Sequence, residues 1–216
     1  MTRFIRHIIC FTALLAAILT SGCSRGDETP LNVPLDLLKN GDLALRCGTS
    51  IESHIVVGVN GENGPYSHIG IVVEKDGQWF VAHAVPGENR RGEPEYLKLD
   101  SIQVYYGRDR AKLGCIMRVT DDSTACRQAT DYALWAVGAK KVFDNSYDWE
   151  DTTQLYCTEM VQRAYLHAGI DLAEDRHTDV VAALMPGTYV FPCDIVANRS
   201  LRLVGDFYDI CLQKQS

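Results

Sequence analysis

Two stretches rich in β-branched and aromatic residues, Ser67 to Glu74 and Trp79 to Val85, stand on either side of Asp76-Gly77. An Asp-Gly pair between such runs is the strongest short-range signal for a two-residue β-hairpin. With that loop, Lys75 faces Gln78, Glu74 faces Trp79, and the register runs on to Gly70 opposite His83. Residues two apart along a strand share a face. His68 and His83 therefore lie diagonally on one face, with Cα atoms roughly 7 Å apart and rings able to meet. Glu74, the acid nearest in sequence on that strand, is about 20 Å from His68 and cannot orient its ring. A loop of odd length would instead place His83 on the opposite face.

The elements around the hairpin give an α+β chain. Gly41-Asp42 turns into a short strand from Leu43 to Arg46, followed by a helix or turn from Ile51 to Val57 and a Gly- and Pro-rich loop, residues 58–65. A further strand is expected from Gly114 to Val119, and a helix over 123–138, where Ala125, Ala129, Tyr132, Ala133 and Ala136 recur at helical spacing. A second helix is expected from about Thr153 to Ala168, capped by Thr152 or Thr153 and stopped by Gly169. Its apolar stripe contains Met160, Val161, Ala164, Tyr165 and Ala168. Cys157 then falls in the first turn and faces the body of the domain.

A cysteine at that place has chemical consequences. Unpaired N–H groups and the positive end of the helix dipole stabilise a thiolate and can receive the oxyanion of a tetrahedral intermediate. With His68 as base and His83 to hold its ring, the three parts of cysteine acyl-transfer catalysis are in hand. Taken alone, Cys157 is equally an ordinary core residue or half of a disulfide, and a lone histidine on an apolar strand is usually a packing residue.

The N-terminus sets the compartment. Arg3 and Arg6 precede an apolar run from Ile8 to Leu19, too short to span a bilayer, and Ser21-Gly22-Cys23 follows. This is a signal peptide over residues 1–22, cleaved before Cys23, which is expected to carry the lipid. Leu19 sits one place early for such a signal, so plain secretion is the alternative. Residues 23–36 are expected to be a tether and 37–216 one catalytic domain. The formal net charge is −7. Removing residues 1–22 takes away only basic residues, so a nucleic-acid partner is not expected. An exported chain permits disulfides, with Cys193 and Cys211 the favoured pair. No CxxC or zinc-type Cys/His spacing is present, so neither a metal nor another cofactor is expected.

Three segments, Gly41-Asp42-Leu43, Tyr66-Ser67-His68-Ile69-Gly70-Ile71-Val72 and Phe80-Val81-Ala82-His83-Ala84, resemble the opening strand, the catalytic-His strand and the third-residue strand of NlpC-type papain-like cysteine peptidases. The cysteine segment, Tyr156-Cys157-Thr158-Glu159-Met160-Val161, follows those strands instead of preceding them. That order resembles the circularly permuted branch, the YiiX-like permuted papain-like amidases, whose cysteine motif reads Tyr-Cys-Ser-Glu-Leu-Val. The resemblance covers about residues 38–168. Thr158 departs from the usual Ser, and His83 stands where permuted members often carry Glu and unpermuted ones often His.

The resemblance implies a circularly permuted papain-like fold, an antiparallel sheet packed against a helix with the nucleophilic cysteine at its N-terminus. It also implies Cys157, His68 and His83 as catalytic residues of a thiol hydrolase acting on cell-wall peptides, short peptides or N-acylated amino acids, an enzyme that the N-terminal signal is expected to anchor at the cell envelope. Lipid acyl hydrolysis or transfer, a non-catalytic binding lipoprotein and a disulfide-stapled structural lipoprotein are the alternatives. Tyr66 and Tyr156 flank the catalytic positions as candidate pocket residues, and His54 is a candidate for the cleft rim. The acidic stretch Asp144, Asp148, Glu150 and Asp151 is either a solvated loop or an attractor for a cationic substrate group.

Overall fold

The structure is a computed structural model that describes residues 31–61, 64–180 and 187–208. The expected signal peptide, Cys23 and Cys211 lie outside these residues, and with them the anchor and the Cys193–Cys211 bridge. Leu31, within the segment expected to be a tether, packs on the domain. Its side chain is buried, and its N–H donates to Tyr106 O at 3.0 Å.

Six strands form one antiparallel sheet: β1 (Leu43–Gly48), β2 (His68–Lys75), β3 (Gln78–His83), β4 (Lys98–Ser101), β5 (Ala111–Arg118) and β10 (Arg202–Tyr208), in the order β10-β5-β1-β2-β3-β4. Two short pairs lie outside it: parallel β6 (Val142–Phe143) with β7 (Gln154–Leu155), and antiparallel β8 (Thr178–Val180) with β9 (Gly187–Tyr189). The helices are α1 (Ile51–Asn60), α2 (Ile102–Tyr105), α3 (Ser123–Gly138), α4 (Cys157–His167) and α5 (Pro192–Val196).

The β2–β3 register is the expected one, with Lys75 opposite Gln78 and Glu74 opposite Trp79. Asp76 and Gly77 have φ of 53° and 74°, the left-handed pair that a tight hairpin needs to match strand twist.

Strand parity divides the interior into two cores. Leu43, Leu45, Ile69, Ile71 and Val73 face α3 and α4, which contribute Ala129, Ala133, Met160, Val161 and Ala164. The intervening residues Ala44, Val72 and Val81 face the other way, onto Tyr105, Tyr106, Phe207 and Leu31. Helix α3 spans the expected residues, with Asp122 Oδ1 capping it by accepting from Thr124 N at 2.8 Å. Helix α4 begins later than the apolar spacing suggests. Gln154 and Leu155 are drawn into pairing with β6, so neither Thr152 nor Thr153 caps the helix and Tyr156 takes the N-cap place, its N–H donating to Glu159 Oε2 at 3.4 Å. At the other end Gly169, with φ of 78°, closes the helix through Gly169 N to Leu166 O.

Candidate active site

The hairpin and the start of α4 meet at a cavity of about 600 Å³. His68 opens β2 and Cys157 opens α4, and both line it. One side of the wall is aromatic, with Phe143, Tyr147, Tyr156, Tyr189 and Phe191. Tyr147 is the hub, its ring centroid 5.3 Å from Tyr156, 5.7 Å from Phe143 and 5.8 Å from Tyr189. The other side is polar, with Arg46, Ser53, Ser67, Glu88 and Arg110.

The histidine pair forms as the register requires. His68 Nε2 lies 2.9 Å from His83 Nδ1, both rings are buried, and their centroids are 5.1 Å apart in a T-shaped contact. Gly70 makes this approach possible, because a Cβ there would stand 2.5 Å from Val81 Cγ1 and 3.0 Å from His83 Cβ. Tyr105 packs against both rings, at 5.7 Å from His68 and 4.9 Å from His83.

Behind the pair lies a charged group that no sequence motif announced. His83 Nε2 is 3.3 Å from Asp100 Oδ2, and the same oxygen receives Lys98 Nζ at 2.9 Å and Arg110 Nη1 at 3.0 Å. Glu88 pairs with Arg46, with Arg110 at 2.9 Å and with Lys98 at 3.4 Å. Arg46, buried beneath, donates to Tyr105 O at 2.8 Å and stacks over the Tyr105 ring at 4.5 Å. The signal that places Asp100 is the same diagonal rule that joined the histidines. His83 opposes Lys98 across β3 and β4, so Asp100, two residues on, shares the face. The short, mostly polar β4 hid that pairing.

The electrostatics describe a neutral pair. Burial pushes the His68 imidazole well below its ordinary value, and Arg46, His83 and Lys98 push the same way. Burial also lowers His83, with the Asp100 hydrogen bond opposing. For Asp100 burial works to raise the carboxyl, yet hydrogen bonds from His83 and Lys98 prevail and hold it well below the usual range. Burial pushes the Cys157 thiol up to about 11, while N–H groups of Ile69, Thr158 and Cys157 itself pull it down. The lowering expected from the helix terminus is therefore present but outweighed. Cys157 rests as a thiol, and an attack requires a base.

Of the other candidate residues, Tyr156 lines the cavity. Tyr66 packs against the helical core, and its side chain hydrogen-bonds the Cys115 thiol. His54 does not line the cavity. The inner face of α1 presents Glu52, Ser53 and Val56, and His54 is turned outward, exposed, with Nε2 2.6 Å from Lys112 Nζ. In the acidic stretch, Asp144 is fully buried and organises its own loop, accepting from Ser146 N at 2.8 Å and Asp148 N at 2.6 Å. Asp151 does the same for Thr153 N at 2.8 Å. Among the described residues Cys47, Cys115, Cys126, Cys157 and Cys193 form no disulfide with one another, and Cys193 Sγ lies 3.3 Å from Asn60 Oδ1. Among the described residues no group of three or more His, Cys, Asp or Glu side chains could hold a metal ion.

An antiparallel sheet bearing a buried histidine pair, followed in the chain by a helix that opens on a cysteine at the same cavity, defines a papain-like fold in circularly permuted order. The family model of permuted papain-like amidase enzymes, YaeF/YiiX, C92 family, matches residues 38–186, and the chain belongs to this family. The crystal structure described as metalloprotein YiiX from Escherichia coli O157:H7 is similar, with a TM-score of 0.63 and 20% identity, covering 79% of this chain and 98% of that one. No curated protein matches the sequence.

Proposed function

We propose that the chain is a thiol hydrolase of amide bonds in which Cys157 is the nucleophile, His68 the general base and His83 the residue that holds His68. The observation that carries this reading is the 2.9 Å contact between His68 Nε2 and His83 Nδ1. It occupies one ring nitrogen of His68 and leaves Nδ1 for the thiol proton at a cavity that Cys157 also lines. Membership of the amidase family supports it independently.

The step follows from the neutral pair. Cys157 Sγ bonds the substrate carbonyl carbon as its proton passes to His68 Nδ1, and N–H groups in the first turn of α4 receive the oxyanion. The imidazolium returns that proton to the leaving amine as the C–N bond breaks, leaving a thioester on Cys157. Water, deprotonated by His68, then releases the acid and restores the thiol.

The cavity's two sides support a substrate with an apolar portion and a polar portion, as in an N-acylated amino acid or a short peptide, including a cell-wall stem peptide. The segment from Ile8 to Leu19 with Gly22-Cys23 supports export and lipid attachment at Cys23, which would put the enzyme at the cell envelope. The aromatic wall also supports a second reading, hydrolysis or transfer of a lipid acyl group.

The test is a panel of coumarin amides of peptides and of N-acyl amino acids beside lipid acyl esters, with mass spectrometry of the acylated protein. The expected result is amine release and a thioester on Cys157, both lost in Cys157→Ser and His68→Ala. Preference for lipid esters over every amide would favour the second reading. Absence of turnover and of any adduct on Cys157 would leave a binding protein.

A further inference from the structure

We propose that Asp100 is a positioning residue of this site, setting through His83 which nitrogen of His68 is free to take a proton. This rests on the role of His68 given above, but its geometry stands by itself.

Donors and acceptors must match along Asp100, His83 and His68. Asp100 Oδ2 already receives Lys98 and Arg110, so the carboxylate is an acceptor and the ring nitrogen 3.3 Å from it must carry hydrogen. His83 is therefore protonated on Nε2, and in the neutral ring its Nδ1 is an acceptor. The nitrogen of His68 facing that acceptor at 2.9 Å must then be N–H, which makes it Nε2. A neutral imidazole has one N–H, so His68 Nδ1 keeps its lone pair. The hydrogen position at the catalytic base is thus decided two rings away, on β4. Without the Asp100 acceptor nothing holds hydrogen on His83 Nε2: the proton can sit on His83 Nδ1 instead, which turns His68 Nε2 into an acceptor and places the proton on His68 Nδ1, where it blocks base action.

A histidine beside the base makes Asp100 necessary. A carboxylate beside His68 can only accept and fixes the tautomer unaided. A histidine there can present either face, and needs a further group to choose. Among the described residues His83 is faced by His68, Asp100, Arg46, Glu88 and Tyr105, with Lys98 opposite it on β4 and Arg110 held on Asp100, and it is Asp100 that hydrogen-bonds its Nε2.

The experiment combines nitrogen-15 spectra of the histidine rings with kinetics on wild type, Asp100→Leu and Asp100→Asn. In wild type His68 is expected as the Nε2–H tautomer. In Asp100→Leu the Nδ1–H tautomer of His68 appears, kcat falls about 10²–10⁴-fold with KM held within a few-fold, and Asp100→Asn, whose amide oxygen can face Lys98, Arg110 and His83 as Oδ2 does, recovers much of the loss. An Nδ1–H tautomer for His68 in folded wild type overturns the proposal without any variant having to fold. So does a folded Asp100→Leu whose His68 tautomer is unchanged. Wild-type turnover that ignores Cys157→Ser would instead defeat the nucleophile assignment and leave the tautomer result standing.

Discussion

The two faces of the central sheet are built from alternate residues of the same strands, yet they hold opposite chemistry. On the α3 and α4 face, Leu43, Leu45, Ile69 and Ile71 meet Ala129, Ala133, Met160 and Val161, small and large side chains in a dry interface. The opposite face starts in the same way, with Ala44, Val72 and Val81 against Tyr105 and Tyr106. Toward one end it passes into Arg46, His68 and His83, with Asp100, Glu88, Lys98 and Arg110 behind them. On the proposed function, stability and reactivity are separated by strand parity, and a single-residue slip of β2 would exchange them. Cys157 joins the two, since its helix packs on the dry face while its first turn reaches the cavity on which His68 opens.

Substitutions on either side should separate accordingly. Cys157→Ser is expected to lower kcat by about 10⁴-fold or more, with a melting temperature close to wild type, because a half-buried thiol becomes a hydroxyl of similar shape. Activity retained in that variant would break the comparison at its centre. Leu43→Ala should do the reverse. Leu43 is fully buried on the helical face, and its truncation is expected to cost about 2–5 kcal/mol in urea unfolding, while kcat of the folded fraction stays within a few-fold.

Gly70→Ala tests the boundary. It lies on the histidine face between His68 and Val72, where a methyl would meet Val81 Cγ1 at 2.5 Å, Ala82 O at 2.8 Å and His83 Cβ at 3.0 Å. Overpacking of this kind costs about 1–3 kcal/mol, and relief by moving β3 carries His83 away from His68. Stability and kcat should thus fall together, kcat by about tenfold or more, as measured by paired urea titration and rate assays. A stable Gly70→Ala with lost activity would show that His83 moves alone.

The sequence made the histidine pair legible because Asp76-Gly77 specifies both loop length and register, and parity follows from register. Cys157 at a helix start was legible from the stripe that Met160, Val161 and Ala164 form. Three features were not. The true start of α4 depends on β6–β7 pairing, a tertiary contact between Val142-Phe143 and Gln154-Leu155 that no local pattern encodes. Asp100 and Glu88 lie in short, polar segments whose partners come from β1, β3 and the loop before β5. The thiol's resting state depends on burial, which overrides the helix-terminus effect that sequence position predicts.

The helical face also holds a buried acid, Glu159, fully buried beside Arg163 at 2.7 Å. Burial raises its carboxyl from 4.5 to about 7, against the pull of Arg163. Between those values the folded state keeps a proton that the unfolded chain has lost, so stability falls as pH rises from about 4.5 to about 7 and is level outside that window. Glu159→Gln keeps the side chain's shape and the acceptor for Tyr156 N but removes the titration. The urea midpoint of the variant, compared with wild type, should therefore lack this part of the pH slope, with the difference confined to that window. An unchanged slope would assign it to another group and return Glu159 to pure packing. A slope that vanishes while the pH profile of kcat stays in place would show that the dry face tunes stability without reaching the histidines.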